Sequence, residues 1–149
     1  MNKFKGIHDL VIGKKLGSGF SRDVYEWAPD NTSVIKVAKS YRGIEANVIE
    51  FNTWETLENK GSFYDNARKW FAPCLEISRC GKYLRMSKTE PLRPHEAPTV
   101  IPSFITDLKI DNIGWLDGRV VFHDYGIHLF IEDAIKLKKA RIVTKEFWL

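Results

Sequence analysis

Asp107, Lys109 and Asn112 fall within six consecutive positions, Asp107-Leu108-Lys109-Ile110-Asp111-Asn112. A carboxylate, an amine and an amide at this spacing suit three tasks. Asp107 would orient or deprotonate a hydroxyl, Lys109 would steady a phosphate in transfer, and Asn112 would ligate magnesium. The same six residues also have the make-up of a surface loop. Upstream, Lys36 interrupts the apolar run Val34-Ile35-Lys36-Val37-Ala38, where a charge must face water, a carboxylate or an anion. Glu50 and Glu55 follow on a helical stretch, and either one reaches back toward Lys36. Glu50 is preferred because it sits one turn before Trp54, where packing fixes its direction. Asp124 ends the apolar stretch Arg119 to Phe122, two positions before Gly126. It is placed to hold a metal beside phosphates, or else to make a turn, and His123 reads as a packed strand-end residue. Gly17-Ser18-Gly19, between Leu16 and Val24, lets main-chain N–H groups approach a phosphate without a Cβ in the way, and serves equally as a plain turn. Backbone donors, a lysine, metal-holding groups and a carboxylate near an acceptor hydroxyl are what phosphate transfer from ATP asks of a protein.

These residues need elements to position them. Residues 9–16 and 23–27 read as extended on either side of the glycines, and Pro29-Asp30-Asn31 signals a turn into a strand over 33–38. Over 43–60, Ile44, Val48, Phe51, Trp54 (or Glu55) and Leu57 recur at helical spacing, which predicts an amphipathic helix ending at Gly61. A second short helix is expected in 63–71, stopped by Pro73. Cys80-Gly81 between 74–79 and 82–87, and Asp117-Gly118 between 110–116 and 119–123, predict two hairpins. Four of the six prolines lie between 91 and 102, so that stretch is expected to be an extended connector rather than a helix. A final helix is expected over about 131–141.

A chain of 149 residues, 44% hydrophobic and 13% aromatic, is enough for one packed domain and too short for two full lobes. The net charge of +4 suits an anionic ligand. The basic cluster Lys136, Lys138, Lys139, Arg141 and Lys145 reads as a solvated helix face, so a nucleic-acid partner is not favoured. Cys74 and Cys80 are six apart and match no zinc spacing, which leaves a reduced pair as the default. No run approaches membrane-spanning length, and a cytoplasmic protein without a membrane partner is expected.

The order of these parts resembles the protein-kinase superfamily across roughly residues 10–130. Leu16-Gly17-Ser18-Gly19 with Val24-Tyr25 is similar to the glycine-rich loop, and Val34-Ile35-Lys36 to the third strand with its lysine. The 43–60 helix is similar to the C-helix, and Leu84-Arg85-Met86 with Ser87-Lys88-Thr89 to the gatekeeper strand and hinge. Asp107-Leu108-Lys109 with Asn112 resembles the catalytic loop of serine/threonine kinases, and Asp124-Tyr125-Gly126 the DFG element. The resemblance implies an α+β fold with an antiparallel N-lobe sheet, a C-helix and a strongly reduced C-lobe made of the catalytic-loop hairpin and a terminal helix. Within one domain over 1–149, it implies an N-lobe and hinge over 1–89, a connector over 90–102 and the reduced lobe over 103–149. Leu16, Gly17, Ser18, Gly19, Val24, Lys36, Glu50, Met86 and Lys88 would then hold ATP. Asn112 and Asp124 would hold Mg2+, and Asp107, Lys109 and Lys36 would carry transfer to a protein serine or threonine.

The chain also departs from the pattern. Arg22 stands at the third glycine of the loop, Ile105-Thr106 stand in place of the His-Arg pair, and Tyr125 replaces phenylalanine. About a dozen residues replace the two helices after the hinge, and only 23 residues follow Gly126. The missing lobe suggests that a second copy or a protein partner completes the substrate surface. Two other functions follow from other features: a pseudokinase acting as a nucleotide-gated protein-binding module, and a basic nucleic-acid-binding domain.

Overall fold

The computed structural model describes residues 10–59, 61, 64–102, 104, 105, 107–126, 140–142 and 148. Short β-rich runs broken by turn residues form β1 (Ile12–Ser18), β2 (Arg22–Trp27) and β3 (Ser33–Ala38). The Asp30 carboxylate closes the β2–β3 turn by accepting from the Thr32 amide at 2.9 Å and the Thr32 hydroxyl at 2.7 Å. The helix α1 (Tyr41–Asn59) and the single turn α2 (Asp65–Arg68) follow, then β4 (Cys74–Ile77) and β5 (Tyr83–Ser87). The strands make one antiparallel sheet in the order β1-β2-β3-β5-β4. The architecture is α+β: a five-stranded antiparallel sheet with one main helix.

The sheet register does the first part of positioning the site. Gly17 lies opposite Val24, Val24 opposite Lys36, and Lys36 opposite Leu84, so these four form one row across four strands. Cross-strand partners share a face, so Lys36 and its neighbours point to the side that α1 covers. Met86, opposite Val34, lies two residues along on that same face.

Helix α1 spans the expected stretch and buries Trp54 and Leu57 of the expected stripe, but it is rotated so that polar residues share the inner side. The buried residues are Gly43, Ala46, Asn47, Glu50, Thr53, Trp54 and Leu57. Ile44 and Phe51 are half-buried, and Val48 is exposed. The inner stripe keeps helical spacing but carries an amide and a carboxylate, so apolar periodicity alone pointed to the neighbouring face.

A second hairpin, β7 (Ile113–Leu116) with β8 (Arg119–Phe122), turns through Asp117 and Gly118, both with positive φ (49° and 77°). Left-handed geometry at both central residues marks the turn that matches strand twist. Both edges of the hairpin are anchored near the sheet. The Phe122 amide donates to Trp70 O at 2.7 Å and Phe122 O accepts from the Ala72 amide at 2.9 Å. On the other side Trp115 and Glu90 exchange two backbone hydrogen bonds, at 2.7 and 2.9 Å. Segments flanking β4 and β5 therefore hold this hairpin directly, without intervening helices.

The proline-rich stretch is more than a connector. A 3₁₀ turn spans Pro94–Glu96, and β6 (Val100–Pro102) pairs antiparallel with β9 (Ala140–Ile142). Leu92, Ala97 and Ile101 are buried in the same core as Trp54, Leu57, Phe71, Leu84, Met86, Phe122 and Tyr125. The final helix expected over 131–141 is corrected at its end, where Ala140 and Arg141 are strand. Residues 131–139, and with them the rest of that helix and the terminal helix of the reduced lobe, lie outside the described residues. Pairing with a strand some forty positions upstream outweighs local helical spacing there. Among the described residues no helix is long and apolar enough to cross a membrane.

Candidate functional site

Lys36 is 4% exposed, so its charge must be met inside the protein. Its Nζ donates to Glu50 Oε1 and to the backbone carbonyl of His123. An ammonium has three protons, which leaves one donor of Lys36 for a further acceptor. Glu50 is wholly buried and its second oxygen is also fully used. Oε2 accepts from Arg22 Nη2 at 2.9 Å and from the Tyr125 amide at 3.1 Å. Glu55 is exposed and accepts from Asn59 instead. Burial alone would push the Glu50 carboxyl up, but the Arg22 and Lys36 cations with their hydrogen bonds hold it at about 2.

Arg22 lies at the centre of this cluster. It starts β2 on the inward face, is 7% exposed, and reaches three elements. Nη1 donates to Asn47 Oδ1 at 3.1 Å, and Nη2 donates to Glu50 and, at 2.8 Å, to Asp124 Oδ1. Asn47 is fixed in turn, since its Nδ2 donates to Gly81 O at 2.9 Å and to Lys82 O at 3.1 Å. Burial works against the Arg22 charge, while Glu50 and then Asp124 raise its pKa above the usual value. Two cations and two carboxylates thus neutralise one another where strands β2 and β3, helix α1 and the segment after β8 meet. The only sequence signal for Arg22 was a long side chain where the loop pattern asks for glycine.

The segment after β8 is fitted closely to α1. A Cβ on Gly126 would come within 2.8 Å of Ala46 O and 2.9 Å of Ala46 Cβ, closer than side chains pack. Tyr125 is fully buried; its hydroxyl donates to Ala72 O at 2.7 Å, and its ring meets Phe71 edge-on at 4.9 Å between centroids. The hydroxyl that distinguishes it from phenylalanine is therefore satisfied. Cys74, 3.2 Å from that hydroxyl, has its thiol pushed up by burial to about 12. A thiol held there is inert.

Asn112 and Asp124 flank the open end of the β7–β8 hairpin, where the His123 amide donates to Asn112 O at 3.0 Å. Asn112 Nδ2 donates to Asp107 O at 3.1 Å, so its carbonyl oxygen is the amide atom left to accept. Asp107 and Lys109 lie 3.6 Å apart as an ion pair, with the lysine side chain 71% exposed. Backbone and side-chain bonds therefore join Asp107, Asn112 and His123 into one unit beside Asp124. His123 is more than a packed strand end. Asp111 O can only accept, so the ring carries its proton on Nε2, at 2.6 Å, while Nδ1 accepts from Thr89 Oγ1 at 2.6 Å. Burial, with the Lys36 charge, lowers the pKa of this ring below its ordinary value.

The glycine stretch runs into Arg22. Gly17 and Ser18 belong to β1, and the loop tip is Gly19 to Ser21, with the Gly19 amide donating to Arg22 O at 2.8 Å and Phe20 88% exposed. A Cβ on Gly17 would meet nothing within 4 Å, so no contact inside the chain requires glycine there. Ser18 is tied to the outer face, its hydroxyl donating to Asp23 Oδ1 at 2.5 Å. Leu16 is 45% exposed, Met86 is fully buried, and the Lys88 amide donates to Thr32 O at 2.9 Å.

Among the described residues no three of His, Cys, Asp and Glu gather as a metal site. A metal at Asp124 and Asn112 would have two oxygen donors from protein and would take phosphate oxygens and water for the rest. Magnesium accepts that hard, sparse set and softer metals do not. A separate cavity of about 330 Å³ lies on the other sheet face, lined by Trp27, Ile35, Tyr83 and Arg85 among others. None of the candidate residues lines it. No protein-family model matches the chain, and no curated protein matches it.

Proposed function

We propose that this chain is a minimal kinase-like domain that binds ATP with magnesium and transfers the γ-phosphate to a protein serine or threonine. The observation that supports this most is the meeting of Lys36, Glu50 and Asp124 around one polar cluster, from positions far apart in the chain. Main-chain groups of the Gly17–Gly19 stretch approach the phosphates, the free donor of Lys36 meets a phosphate oxygen, and Glu50 keeps that lysine in place. Asn112 and Asp124 hold the magnesium, which when bound neutralises charge on the phosphates. Asp107 takes the proton of the acceptor hydroxyl, and Lys109, exposed beside it, steadies the phosphate in transfer. The hinge-like segment with Met86 and Lys88 takes the adenine, and a protein partner or second copy completes the acceptor surface in the cytoplasm.

A second reading, a nucleotide-gated binding module without turnover, has one observation in its favour: Asp124 already has an oxygen committed to Arg22. One experiment separates the two. Purified protein is incubated with labelled ATP, magnesium and a general acceptor protein. Transfer by the wild type that is lost in Asp107→Ala supports the kinase. Magnesium-dependent thermal stabilisation by ATP without transfer supports the binding module, and neither response defeats both.

A further inference from the structure

A metal at Asp124 would arrive where a cation already sits. Arg22 Nη2 lies 2.8 Å from Asp124 Oδ1 and 2.9 Å from Glu50 Oε2. The guanidinium is nearly buried, and a second arm is held by Asn47 at 3.1 Å. Asp124 itself is the open member of the cluster, its side chain 46% exposed. One carboxylate oxygen is thus committed to a fixed arginine, on a side chain that is otherwise partly open to solvent.

Two physical consequences follow. Asp124 can offer a metal only its second oxygen unless Arg22 lets go, and magnesium gains affinity with the number and charge of its oxygen ligands. The positive guanidinium also lies on the carboxylate that the metal must share, and like charges near a buried site repel more strongly than in water. Letting go is unfavourable for Arg22, because it would leave Glu50 Oε2 and Asn47 Oδ1 short of a donor.

We propose that Arg22 is a positioning residue that restrains the divalent metal at Asp124, acting as an internal cation that metal binding must compete with. The proposal rests on reading Asp124 as a metal ligand. It assigns Arg22 a role that a merely structural residue lacks: its removal strengthens binding at a neighbouring site.

The test uses metal alone, so it is separate from ATP binding. Mn2+ is titrated into nucleotide-free protein and followed by electron spin resonance, for wild type, Arg22→Gln, and Arg22→Gln combined with Asp124→Asn. Arg22→Gln is expected to tighten Mn2+ by about tenfold or more, the scale of an ordinary coupling between two sites. The added Asp124→Asn is expected to abolish the gain. Unchanged or weaker binding in folded Arg22→Gln overturns the proposal, as does a gain that survives Asp124→Asn. If Arg22→Gln does not fold, wild-type protein decides the matter through the NMR signal of the Arg22 guanidinium during Mg2+ titration. A shift that saturates with the metal supports competition, and a signal indifferent to saturating Mg2+ overturns it. A failure of the kinase reading looks different: ATP neither stabilises nor is consumed, whatever Mn2+ does.

Discussion

Glu50 accepts hydrogen bonds from Lys36, Arg22 and the Tyr125 amide while wholly buried. Taking charges out of water is costly, and the cluster persists because each member is met by the others. Removing one partner leaves the rest uncompensated. Glu50→Gln is therefore expected to lower stability by about 3–5 kcal/mol in urea denaturation. Glu55→Gln, at an exposed site, should stay within about 0.5 kcal/mol. Equal effects from the two would mean that the charge cluster does not form in solution. The sequence narrowed the choice to these two glutamates and favoured Glu50, and the helix turns Glu50 rather than Glu55 toward Lys36.

At the scale of elements, α1 is the piece whose orientation matters most. Its length and position were legible from spacing and from Gly61, and so were Trp54 and Leu57 of its inward stripe, but the rest of that stripe was not. The residues it buries include Asn47 and Glu50, which a search for apolar period counts against burial. Two truncations separate the faces. Leu57→Ala, at a fully buried position, is expected to cost about 2–5 kcal/mol. Val48→Ala, at a 38% exposed position, should cost no more than about 0.5 kcal/mol. The reverse order, read by thermal or chemical unfolding, would place the helix with its other side inward. The two hairpins were more legible because Cys80-Gly81 and Asp117-Gly118 carry their turn chemistry locally.

For the whole molecule, the same cluster that could bind an anion also ties the sheet, the helix and the β7–β8 hairpin together, so its titration is a property of the fold. His123 has a lowered pKa in the folded state, so the unfolded chain takes up its proton first as pH falls. Its contribution is fully present above its ordinary value of 6.5 and declines below it. Glu50 acts in a separate window: its contribution is complete above 4.5 and is lost as pH drops toward about 2. Urea unfolding is expected to show lower stability at pH 5.5 than at pH 7.5. In His123→Gln that difference should shrink, because the group no longer titrates. An unchanged difference in the variant would assign the effect to other groups.

Most strands, the main helix and both hairpins could be read from the sequence because period, turn residues and glycine breaks act over a few neighbours. The candidate residues could be picked out by type and spacing for the same reason. Glu50 reaching Lys36 was expected, but Arg22 joining Glu50 to Asp124 could not be read, and neither could the strand at Ala140–Ile142 nor the use of the proline-rich stretch as core. Arg22 shows the difference most clearly. In the sequence it is a misplaced large residue in a glycine loop, and in the folded chain it joins Asn47, Glu50 and Asp124. Local propensity is fixed by adjacent residues. The value of a buried charge depends on which distant partners the packed chain brings within hydrogen-bond reach.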